Sequence, residues 1–149
     1  MDIRNILKNV AEGTISVDEA VLELKKEPFE DLGFAKLDHH RAIRQGVAEV
    51  IYGAGKTPEQ IEKIVAAMVK KGQKNVLITR MSEESATLMS KKLADTEIVF
   101  QYDTMSKIGI VGDIPRADGI GKIVVATGGT SDMPVAEEAA LTAEVLGNE

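Results

Sequence analysis

The chain has 149 residues, 44% hydrophobic but only 3% aromatic, with a net charge of −6. That suits one ordinary domain, or one domain and part of another, around an aliphatic core; the acidic balance argues against a broad nucleic-acid surface and against attraction to anionic lipid. The absence of cysteine excludes disulfides, thiolate metal sites and a cysteine nucleophile within these residues, and no apolar run approaches the roughly 18 residues of a membrane span.

The opening Met1-Asp2-Ile3-Arg4 is unlike a signal peptide, so the expected compartment is the cytoplasm. Ile3, Ile6, Leu7 and Val10 sit at helical spacing up to Gly13. Ser16-Val17-Asp18-Glu19 matches a capping box, Ser16 as N-cap and Glu19 reaching back, and opens a second helix with Val17, Val21, Leu22 and Leu24 on its apolar side. Helices this short need something to pack on. Pro28 ends the pair. Phe34 to Leu37 reads as a short strand, and Asp38 to Gly46 as a helical turn.

From Glu49 the alternation is clear. Glu49-Val50-Ile51-Tyr52 reads as a strand and Gly53 to Lys56 as a tight loop. Thr57-Pro58-Glu59-Gln60 starts a helix, with Thr57 as N-cap and Pro58 in the first helical position. Ile61, Ile64, Val65, Met68 and Val69 form its buried face. Asn75–Thr79 is a second strand, Ser82 opens another helix, and Ile98-Val99-Phe100 is a third strand. This β-α-β-α-β order predicts an α/β fold with a parallel sheet and right-handed crossovers. A further strand is expected at 107–111, a boundary near residue 120, a new strand at 122–127, and a helix from Pro134 to Leu146.

The last strand runs into Gly128-Gly129-Thr130-Ser131-Asp132 before that helix. Glycines permit a tight turn and close approach of a ligand, and the free N–H groups of a helix start favour an anion. The hydroxyls of Thr130 and Ser131 add donors, while Asp132 suits a sugar hydroxyl, a metal or the helix cap. The plain alternative is an ordinary βα loop capped by Ser131 or Asp132. The run is neither the G-x-G-x-x-G dinucleotide pattern nor a Walker loop.

Gly128 to Asp132, followed by Pro134-Val135-Ala136-Glu137-Glu138-Ala139-Ala140, resembles the opening βα unit of PurE-type aminoimidazole ribonucleotide carboxylases, which have a flavodoxin-like fold. Upstream, Gly33 to Arg41, Arg44-Gln45-Gly46, Glu49 to Gly53 and Gly55-Lys56-Thr57-Pro58-Glu59-Gln60 resemble LarB, the PurE-related family that begins synthesis of the nickel-pincer cofactor. The resemblance implies a LarB-type N-terminal α/β domain over 1–120 and the start of a PurE-like domain over 121–149. It implies carboxylation of the pyridinium ring of nicotinic acid adenine dinucleotide, with CO2 or bicarbonate as co-substrate. The same enzyme cleaves the phosphoanhydride, for which a divalent ion such as Mg2+ is expected, and releases AMP and pyridinium-3,5-biscarboxylic acid mononucleotide. Such enzymes use a cysteine in their PurE-like half as nucleophile; its absence here implies a portion of a longer enzyme, one that forms homo-oligomers at full length. Gly128, Gly129, Thr130, Ser131 and Asp132 match the family's nucleotide-binding turn, with Asp132 the catalytic candidate.

Arg41 and Arg44, three apart on one expected helix face, are candidates for a substrate phosphate or carboxylate, or for plain ion pairing with Asp38. The adjacent His39 and His40 diverge in direction and are expected to be structural or on the surface, and no metal site is expected from the chain's own ligands. Gly53 to Thr57 is too short for a phosphate loop, and Thr57 is accounted for as a cap. Two other functions stay open: purine-pathway carboxylation of aminoimidazole ribonucleotide, against which the long segment before Gly128 speaks, and a non-catalytic nucleotide-binding or assembly module.

Overall fold

The computed structural model describes residues 3–26, 29–38, 41 and 49–149, which group into two units, Met1–His40 and Arg41–Glu149. In the first, helix α1 (Ile3–Ala11) packs on α2 (Val17–Lys26). The expected capping box forms: the Ser16 amide and hydroxyl donate to Glu19 Oε2, both at 2.8 Å, and the Glu19 amide donates to Ser16 Oγ at 3.2 Å. These bonds, the Ser16 amide foremost, hold the Glu19 carboxyl below its ordinary pKa. Ile6 and Ala20 are buried, whereas Leu7, Val17, Val21 and Leu22 are exposed. Strands β1 (Phe29–Asp31) and β2 (Lys36–Asp38) pair antiparallel, with Glu30 opposite Leu37. Gly33 makes their turn in the left-handed region, at φ +82°, and Asp31 Oδ1 accepts its amide at 2.8 Å.

The second unit is a four-stranded sheet between helices. It comprises β3 (Ile51–Tyr52), α3 (Pro58–Lys70), β4 (Asn75–Thr79), α4 (Glu83–Leu93), β5 (Phe100–Asp103), β6 (Ile108–Gly112) and α5 (Met133–Val145). The helix starts fall where the caps place them. Thr57 and Gln60 form a reciprocal capping box on α3, and Ser82 Oγ accepts the Ser85 amide at the head of α4.

The strand order is β3-β4-β6-β5. β3 and β4 are parallel, Ile51 opposite Ile78, joined by the α3 crossover. β6 lies antiparallel to both β4 and β5, so β3, β4 and β5 point the same way, as the β-α-β-α-β order predicts. The sheet is nonetheless mixed rather than parallel throughout, because β6 is inserted between β4 and β5. The cause is local: a short turn joins β5 to β6, and a connection that short can only make an antiparallel pair. Asp103 Oδ2 accepts the amide and hydroxyl of Ser106, each at 2.6 Å, closing that turn.

Alternation along β4 sorts the core. Leu77 clusters with Ile108, Ile110 and Val145 of α5, with Val50, Ile114 and Leu141 packed beside them. Val76 and Ile78, fully buried, face the other side. A Cβ built on Gly109 would meet Met81, Phe100 and Ile78 there. Right-handed crossovers put α3 and α4 together on that second face, and the two helices pack on each other.

The expected strand at 122–127 does not form. Those residues pair with no strand, and Val124 is 86% exposed. Ile123-Val124-Val125 has the β-branched character of a buried strand, but no described neighbour offers it an edge. The Ile123 amide instead donates to the Glu149 carbonyl, at 2.7 Å. The helix that follows starts at Met133, one residue ahead of expectation.

Candidate functional site at the carboxyl edge of the sheet

α5 runs antiparallel to β4. At the amino end of the strand, Asn75 Nδ2 donates to the Val145 carbonyl at 3.4 Å. Just past its carboxyl end, Arg80 pairs with Glu138: Nε to Oε1 at 3.3 Å and Nη2 to Oε2 at 3.1 Å. At 1.5 Å rise per residue, the start of α5 lies roughly 8 Å beyond Glu138, so the glycine turn lies toward the edge where β3 and β4 end. Ligands of open α/β sheets bind at this kind of edge.

The turn itself is open. Gly128, Gly129, Thr130, Ser131 and Asp132 are all exposed, and 130–132 form one 3-10 turn leading into α5. Asp132, at the head of α5, makes no side-chain capping bond; the Asp132 amide donates to the Gly129 carbonyl at 3.3 Å and the Met133 amide to the Thr130 carbonyl. The ordinary-cap alternative is therefore not realised for Asp132. The tight-turn argument for the glycines also changes. Gly129 is extended at φ −162°, and Gly128 is absent from the positive-φ glycines. A Cβ on Gly128 would meet nothing within 4 Å, and one on Gly129 only Ser131 Oγ at 3.9 Å. The backbone does not require glycine at either position; what the missing side chains leave is clear space beside the amides.

The neighbouring loops carry cations. Lys56, in the loop after β3, donates from Nζ to the Tyr52 carbonyl at 2.6 Å and sits 6.0 Å from the centre of the Tyr52 ring. Tyr52 is 61% exposed and, as the partner of Thr79, lies on the Leu77 side of the sheet. Arg80 is a non-glycine residue at φ +53°, a conformation costing roughly 1–2 kcal/mol. Its surroundings hold it there. The Gly53 amide donates to the Thr79 carbonyl at 2.7 Å, the Met81 amide to the Lys107 carbonyl at 2.8 Å, and Tyr102 Oη to the Met81 carbonyl at 3.1 Å. Burial, helped by Glu83 and Asp103, raises the Tyr102 pKa, which keeps that hydroxyl protonated as a donor.

Of the other sequence candidates, Arg41 is committed to Glu49, Nη1 to Oε1 at 3.2 Å, with its Nε buried and unpartnered. This is the plain ion-pair alternative, with Glu49 as the partner. Arg44, His39 and His40 lie outside the described residues. Arg80 and Glu138 were not singled out by sequence. The one available signal was an arginine directly after a buried strand.

A family model described as the LarB/PurE-like N-terminal domain matches residues 29–113. The chain belongs to the LarB/PurE-like family. The match ends just past β6, before the glycine turn. An uncharacterised protein of Methanocaldococcus jannaschii is 33% identical over 153 residues, which cover 99% of this chain and 59% of that protein; the chain thus spans about three-fifths of that relative's length. Among the described residues, no three His, Asp or Glu side chains converge into a metal site. No described helix is long and apolar enough to cross a membrane.

Proposed function

We infer that this chain is part of a cytoplasmic enzyme that carboxylates the pyridinium ring of nicotinic acid adenine dinucleotide and hydrolyses its phosphoanhydride, in nickel-pincer cofactor synthesis. In this reading 121–149 opens the PurE-like domain. The observation that carries it is the uncapped, exposed glycine turn at the edge of a LarB/PurE-like sheet. Its amides and the Ser131 hydroxyl donate to a nucleotide phosphate, and Asp132 takes a ribose hydroxyl and stands near the ring.

The carboxylation forms a carbon–carbon bond to CO2 and releases the ring proton; the hydrolysis breaks the anhydride with water and frees AMP. A thiolate adding beside the target carbon makes the electron-poor ring nucleophilic and is then expelled. With no cysteine in the chain, that nucleophile belongs outside residues 1–149. The whole enzyme is a homo-oligomer in this proposal.

Incubating the natural-length gene product with nicotinic acid adenine dinucleotide, bicarbonate and Mg2+ tests it. The expected products are AMP and pyridinium-3,5-biscarboxylic acid mononucleotide, identified by mass spectrometry. Turnover of aminoimidazole ribonucleotide with the dinucleotide untouched would overturn the reading. The absent cysteine favours one alternative for these residues alone, a nucleotide-binding module; dinucleotide binding by a natural-length product that gives no CO2-dependent product would identify it.

A further inference from the structure

Arg80 follows a strand whose even-numbered residues, Val76 and Ile78, face α3 and α4. Continued alternation would send residue 80 the same way. Its side chain instead pairs with Glu138 on α5, across the sheet, and the left-handed backbone at Arg80 accompanies that reversal. The fold thus keeps a strained arginine where a glycine or asparagine would be relaxed. Met81 returns to the core, fully buried.

The guanidinium is not consumed by this placement. It carries five N–H donors; Nε donates to Glu138 Oε1, and Nη2 lies 3.1 Å from Oε2 as an ion pair. The side chain is 52% exposed, against 20% for Glu138. The remaining donors have no described partner, and they lie on the α5 side of the edge toward which the glycine turn extends.

We propose that Arg80 is a second anion contact of the candidate site, binding a phosphate of the nucleotide, and that Glu138 is its resting partner, which the ligand displaces. The inference rests on the reading of the glycine turn as a nucleotide site and adds a residue to it. A planar fork of donors suits phosphate oxygens as well as a carboxylate. Exchange of one for the other leaves the backbone at Arg80 unchanged.

The two partners then have opposite effects on binding, which a purely structural clamp would not give. Calorimetric titration of the chain with nicotinic acid adenine dinucleotide at low ionic strength reads the difference. Arg80→Asn removes the guanidinium with a residue that tolerates the left-handed backbone, and is expected to weaken binding about tenfold, the factor of a lost charge-assisted contact. Glu138→Gln removes the competing carboxylate and is expected to tighten binding severalfold. If both substitutions weaken binding alike, Arg80 is a clamp and the proposal fails. If Arg80→Asn binds like the wild type while Ser131→Ala binds worse, Arg80 is no contact but the glycine-turn reading stands. If the wild type binds no dinucleotide, both fall. Thermal melts of each variant show whether the fold is retained.

Discussion

Gly53 sits where the loop leaving β3 crosses the end of β4, and replacing it with alanine tests how tightly this edge is built. A Cβ there would lie 2.9 Å from the Thr79 carbonyl oxygen, 3.2 Å from that of Arg80 and 3.3 Å from Met81 Cα. All three are backbone atoms, so no side chain can rotate away. The Gly53 amide meanwhile donates to that same Thr79 oxygen at 2.7 Å, so relieving the clash pulls against a short hydrogen bond. Overpacking of this kind costs roughly 1–3 kcal/mol. For a chain of this size that is a fall in Tm of roughly 2–12 °C. Urea and thermal denaturation of Gly53→Ala measure it, and because the clash includes the Arg80 carbonyl, dinucleotide binding is expected to weaken with stability. A variant as stable as the wild type would refute the reasoning, since the loop would then have room that these distances deny.

Two further expectations concern charge and packing. Asp103 is held below the ordinary aspartate pKa, first by the Ser106 hydroxyl and then by its amide. A depressed folded pKa contributes stability above the unfolded value of about 3.9 and loses it as pH falls through the lower folded value. Asp103→Asn should therefore lower the urea midpoint at neutral pH by the equivalent of about 1 kcal/mol, with the gap to wild type closing below about pH 4; a pH-independent gap would count against the assignment. Val124→Lys should leave stability within about 0.5 kcal/mol in the 149-residue chain, because Val124 is 86% exposed; a loss of several degrees in Tm would return residues 122–127 to a sheet.

Local chemistry made much of this fold legible. Thr57, Pro58 and Gln60 announced α3, Ser82 announced α4, and Ser16 with Glu19 announced α2, because a cap is a bond between residues three apart. The common direction of β3, β4 and β5 followed from the crossover rule. The place of β6 did not, since strand order depends on partners far apart in sequence, and the turn from Asp103 to Lys107 lacks the glycine that marks many hairpins. Its left-handed residue is Lys107, at φ +58°, an unusual choice that leaves no trace in the residue pattern. Arg80 was hidden for the same reason. The run Ile123-Val124-Val125 misled in the other direction: β-branched residues express a preference for a sheet but cannot supply one. At the site, the glycine turn was legible as an exposed small-residue run, whereas its relation to Arg80 depends on how α5 lies across β4.

The charge at the helix starts argues which end an anion would choose. α3 and α4 begin just past the carboxyl ends of β3 and β4, on the face opposite α5, and each carries its own acids in the first turn: Glu59 in one, Glu83 and Glu84 in the other. Those carboxylates already answer the partial positive charge of their helix ends. Ser82 and Thr57 also occupy amides there. α5 has no acid in its first turn and no side-chain cap; the one carboxylate nearby is Asp132, immediately ahead of it. Of the three helix starts that follow β3, β4 and the glycine turn, only the last leaves its amides without a side-chain partner, and it is also the one whose helix holds Arg80 in place. An anion arriving at this edge would meet two helix ends already answered by their own acids and one that is not, but at that third end the Asp132 and Met133 amides already donate to the Gly129 and Thr130 carbonyls and Pro134 has no amide, so any preference for the glycine turn rests on the missing acids more than on free amides.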